Sequence, residues 1–97
     1  MFAIRIDPIH PSYPSWIQAG INRIIDYCTS QRGTLKRDLM SIIYDIDRFV
    51  ATVDDNQSPL KKSWDKVSDA VDFFEPRIIL NALDDFVRKL NQRLNNA

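Results

Sequence analysis

Apolar residues recur along the chain with two different periods. Over residues 2–7, Phe2, Ile4 and Ile6 alternate with Ala3, Arg5 and Asp7, the period of a half-buried strand. Pro8, Pro11 and Pro14 then exclude helix, so residues 1–14 form a short extended N-terminal arm. Beyond the arm the period becomes helical. Ser15 is a candidate cap for a first helix over 15–31, whose apolar positions are Ile17, Ile21, Ile24, Ile25 and Cys28. Gly33 suits a left-handed residue after its end.

Thr34 opens a second helix over 34–54. Leu35, Leu39, Ile42, Ile43, Ile46, Phe49, Val50 and Val53 lie within one stripe of it. Asp54-Asp55-Asn56-Gln57 breaks the pattern, and Ser58-Pro59 supplies an N-cap followed by the proline favoured at the first helical position. A third helix over 58–74 carries Leu60, Trp64, Val67, Val71 and Phe74, and Glu75-Pro76 ends it, because a residue before proline avoids helical angles. The fourth helix, 77–94, has Ile79, Leu83, Phe86 and Leu90 on its main face, widened by Leu80, Val87 and Leu94.

Four amphipathic helices joined by short loops favour antiparallel neighbours. The expected fold is therefore all-α, an up-down four-helix bundle in one domain of 97 residues. Two stacked helix hairpins are the alternative, but the two halves share only their apolar period. A lone strand cannot satisfy its own backbone groups. The arm therefore pairs with a symmetry mate or a target's sheet edge, stays without fixed structure, or lies along the bundle as an apolar strap, the preferred reading.

The side-chain inventory is poor in chemistry. His10 is the only histidine and Cys28 the only cysteine, so no histidine cluster, disulfide or cysteine-rich metal site can be assembled within the chain. The single glutamate, Glu75, excludes the Glu-x-x-His pairs of a di-iron bundle. Asp65, Asp69 and Asp72 share one ridge, which reads as a solvated face relieved by Lys61, Lys62 and Lys66. Cys28, on an apolar stripe, reads as a core thiol with a raised pKa. Gly20 and Gly33 are isolated and form no phosphate-cradling loop. No catalytic site, cofactor or metal is expected. The absence of a long apolar run, of an export signal over residues 1–15 and of paired cysteines points to a cytoplasmic protein without a membrane span.

Thirteen basic and thirteen acidic residues cancel, so patches rather than net charge must indicate a partner. On the second helix, Met40, Tyr44 and Ala51 project opposite the core stripe, with Arg37, Asp47 and Arg48 around them. Methionine, tyrosine and arginine one turn apart have the composition of a protein-binding hot spot. The partner-binding candidates are therefore Met40, Tyr44, Arg37 and Arg48, with Phe2, Ile4 and Ile6 of the arm. The alternative is nucleic-acid contact through Arg32, Lys36 and Arg37 at the turn between the first two helices. Arg88, Lys89 and Arg93 are read instead as complements to the dipole at the end of the fourth helix. The sequence thus predicts a non-catalytic interaction module, an adaptor, assembly subunit or inhibitor of a larger protein, with homodimerisation through the arm or the wide fourth helix a further candidate.

Overall fold

A computed structural model describes residues 6–29, 36–54, 58–73 and 75–95, with only the backbone at Lys36 and Asn95. Its four helices are α1 (Ser15–Thr29), α2 (Lys36–Val53), α3 (Pro59–Phe73) and α4 (Pro76–Asn95). Each packs on its neighbours in the chain, and α4 returns against α1; among the described residues the backbones of the diagonal pairs α1/α3 and α2/α4 do not approach each other. That closed ring is the up-down bundle. Two stacked hairpins would have set α1 on α3 and α2 on α4.

The ring encloses one core. Ile17, Ile21 and Ile24 of α1, Leu39, Ile46 and Val50 of α2, Trp64, Val67 and Val71 of α3, and Ile79, Leu83, Phe86 and Leu90 of α4 are fully buried. The α3–α4 hairpin is the tightest pair, with the Trp64 and Phe86 rings tilted against each other at 4.8 Å between centroids. Between α1 and α2 the backbones close in at Gly20. A Cβ there would lie 3.1 Å from Ile42 Cγ2 and 3.3 Å from Ile46 Cδ1, so a larger residue would have to displace both isoleucines.

Helix ends follow local chemistry, with small shifts from the expected bounds. Ser58 Oγ accepts the Lys61 backbone N–H at 3.1 Å, an N-cap contact with Pro59 at the first helical position. α4 starts at Pro76 rather than at residue 77, because a proline ring already holds the helical φ; the Ile79 N–H then donates to Glu75 O at 3.0 Å. Ser15 lies inside α1 instead of capping it, and the Ile17 N–H donates to Pro14 O at 3.1 Å. The expected roles of Gly33 and Thr34 fall outside the described residues. At the far end of α2, Arg93 of α4 donates to Val53 O at 2.5 Å and approaches Asp54 Oδ2 at 3.6 Å, satisfying a terminal carbonyl from across the ring.

Residues 6–14 of the arm run as a strap, and no strand occurs among the described residues; Phe2 and Ile4 lie outside them. Ile6 is half-buried against the core and Ile9 is buried, so both point inward. The Ile9 N–H donates to Gln18 Oε1 of α1 at 2.6 Å, and the His10 N–H donates to Asn91 Oδ1 of α4 at 2.9 Å. Asn91 Nδ2 returns a bond to Pro8 O at 3.1 Å, and the Tyr13 hydroxyl donates to Leu90 O at 2.7 Å. These bonds satisfy backbone groups of Pro8, Ile9 and His10 and tie the segment to both α1 and α4; most of the alternating stretch, residues 2–5, falls outside the described residues.

Gly20→Leu should lower unfolding free energy by about 1–3 kcal/mol, the usual range for overpacking a filled seam. Urea denaturation followed by far-ultraviolet circular dichroism checks this, with the native helical signal retained in the variant.

Candidate interaction surface

The outer face of α2 carries Arg37, Ser41, Tyr44, Asp45, Arg48 and Thr52, all exposed. Tyr44 is 64% exposed, too open for a core tyrosine. The contact at Gly20 fixes what lies beside this face. One turn before Gly20, Trp16 of α1 is 46% exposed and meets the Phe49 ring edge-on at 5.9 Å and 84°. Tyr13 of the strap meets Phe49 in the same way, at 5.9 Å and 83°. Phe49 is thus held from two sides, and Trp16 is presented as a half-open wall. Trp16, Phe49, Asp45, Arg48 and Thr52 line a groove of about 390 Å³.

The expected residues are only partly gathered here. Tyr44 and Arg48 share the exposed face, and Arg37 is exposed two turns before Tyr44 on the same helix. Met40, expected to face outward, is half-buried and packs against the core. Its register explains this. Asp47, seven residues on and so on the same side of α2, accepts a hydrogen bond from Lys61 of α3 at 2.6 Å, placing Met40 on the α3 flank. Ile6 is also turned inward, and Phe2 and Ile4 lie outside the described residues. Of the nucleic-acid candidates, Arg37 alone has a described side chain; Arg32 lies outside the described residues, and Lys36 is placed only as the first residue of α2.

Trp16 was missing from the expected site, although the sequence carried the signal: it stands one residue before the apolar stripe of α1. The same signal marks Phe73 and Ile78, which flank the stripes of α3 and α4 and are 79% and 54% exposed. With Lys66, Asp69, Ala70, Asn81, Ala82, Asp85 and Lys89 they line a second groove of about 590 Å³ between α3 and α4.

Several charged groups of α3 and α4 are paired within the fold. Lys61 Nζ bonds Asp47 at 2.6 Å and Asp65 at 2.9 Å, and these hydrogen bonds, Asp47's first, hold its pKa above the ordinary lysine value. Arg88 pairs with Asp84 at 3.1 Å and Lys89 with Asp85 at 2.7 Å. Among the described residues, no group of three His, Cys, Asp or Glu side chains is arranged to hold a metal ion, and no helix is long and apolar enough to cross a membrane. Cys28 is buried, and burial pushes its thiol up to about 11; Tyr27 is raised by its own burial and by the neighbouring Cys28. No protein-family model, curated protein or solved structure matches the chain.

The Cys28 shift has a definite sign. The folded thiol holds its proton more tightly than the unfolded one, so its contribution is complete below the ordinary value of 9.0 and is lost as pH rises toward about 11. Denaturation midpoints should fall over that interval, and Cys28→Ala should fall less steeply than wild type, because the thiol's contribution is then absent while those of Tyr27 and Lys61 remain. Thiol labelling at pH 8 should be slow in the native chain and complete in urea.

Proposed function

We propose that this chain is a non-catalytic helical module that binds another protein through the α1–α2 face. The observation that carries the reading is Tyr44, 64% exposed on the outer face of α2, next along that helix to Arg48 and Asp45, which line a groove with Trp16, itself 46% exposed. Tyrosine, tryptophan and arginine are the side chains that dominate binding energy when a partner excludes water from them. Here each is set on a rigid helix, and Phe49 wedges the tryptophan in place. Preorganisation lowers the ordering cost of association, so a small surface of this kind supports useful affinity. The rim residues Asp45 and Thr52 supply hydrogen-bonding groups around the apolar wall.

Physiologically, such a module acts by contact alone, as a cytoplasmic adaptor, an assembly subunit or an inhibitor of a larger protein.

Tyr44→Ala combined with Arg48→Ala should weaken partner capture at least about tenfold, a loss typical of removing two hot-spot side chains. Both positions are on the surface, so the melting transition should keep its cooperativity and stability should change by about 0.5 kcal/mol or less. Quantitative pull-down of wild type and variant from the native lysate, with parallel thermal melts, checks this. Unchanged capture by a folded variant would overturn the reading.

A further inference from the structure

We infer that the α3–α4 groove is a two-fold interface, occupied by the same groove of a second copy of this chain. The inference is independent of the α1–α2 face and rests on a match between the two walls. α3 and α4 are antiparallel and separated by residues 74 and 75, so positions equally far from that turn lie at the same height. Nearest the turn, the α3 wall presents Phe73 and the α4 wall presents Ile78, both apolar and more than half exposed. Seven residues further along each helix stand Lys66 and Asp85, of opposite charge. Seven residues are two helical turns, so the apolar and the charged position fall on the same side of their helix; counted from the turn, both α4 positions lie two residues deeper than their α3 counterparts, a common offset of about 3 Å that side chains of this length span.

A two-fold axis parallel to the bundle sets α3 of one copy against α4 of the other. That operation brings Phe73 onto the second copy's Ile78 and Lys66 onto its Asp85, each contact occurring twice. Apolar side chains meet apolar ones and opposite charges meet. Between the two levels the groove is lined by the small Ala70 and Ala82 together with the exposed Asp69 on the α3 wall and Asn81 on the α4 wall, so the same operation sets a carboxylate against an amide that can donate to it. Asp85 already pairs with Lys89 at 2.7 Å within its own helix, so Lys66 of the second copy would join an existing ion pair rather than face a bare carboxylate. A surface carrying only one sign of charge at the deeper level would repel its own copy.

Sedimentation equilibrium from about 1 to 300 μM tests the inference. Wild type should show a monomer–dimer equilibrium. Phe73→Glu, at a 79% exposed position, should retain the wild-type melting transition in its monomeric form and sediment as a monomer throughout. Lys66→Asp and Asp85→Lys should each dimerise at least tenfold more weakly alone. An equimolar mixture of these two variants should recover dimer, because both crossed contacts then regain opposite charges. A wild-type chain that stays monomeric to 300 μM, a dimer that survives Phe73→Glu, or a mixture no better than either single variant would each overturn it.

Discussion

A ring of four amphipathic helices buries all its apolar stripes only if its first and last members meet, and in this protein that seam joins elements separated by the 46 residues from 30 to 75. The strap makes the junction. Ile9 bonds Gln18 on α1, while Pro8, His10 and Tyr13 bond Leu90 and Asn91 on α4. Each bond satisfies a backbone group as well as linking two elements, so the strap offsets its own ordering cost while it fixes the seam. Without that closure, the apolar stripes of α1 and α4 would face water along one edge.

The same junction determines what the outer surface displays. Tyr13 is anchored at Leu90 through its hydroxyl and braces Phe49 with its ring, and Phe49 in turn supports Trp16. Closure of the core and presentation of the α1–α2 face are therefore parts of one mechanical arrangement. Gly20 completes it by letting α1 approach the Ile42 and Ile46 side of α2. The opposite flank of α2 is tied to α3 through Asp47 and Lys61. With both flanks engaged, only the strip containing Tyr44 and Arg48 is left open.

Much of this was legible in the amino-acid pattern. The helical stripes identify the four elements because burial of an apolar face decides where an amphipathic helix goes, and the Ser58-Pro59 and Glu75-Pro76 punctuation places two boundaries within a residue or two. The strap was one of several readings of residues 1–14, since alternation describes a two-faced extended segment without saying what it lies against. The α2 face was legible only in part. Counting Ile42, Phe49 and Val53 with the stripe moves its apparent centre toward α1 and leaves Met40 seemingly outside. In the fold the buried face also extends toward α3, so Met40 is covered while Tyr44 is not. Trp16, Phe73 and Ile78 carried a simpler signal, as large apolar residues beside a stripe that did not need them. What the sequence withheld was which neighbouring helix each flank would meet.

The two tryptophans stand on opposite sides of the solvent boundary: Trp64 is sealed in the core against Phe86, and Trp16 lies half-open beside Phe49. The chain consequently has two built-in fluorophores of different meaning. Trp64 emits at the blue edge and is shielded from dissolved quenchers, so it reports the integrity of the bundle. Trp16 emits further to the red and is open to iodide or acrylamide, so it reports occupancy of the surface it borders. Folding and complex formation can thereby be followed separately in one unlabelled sample.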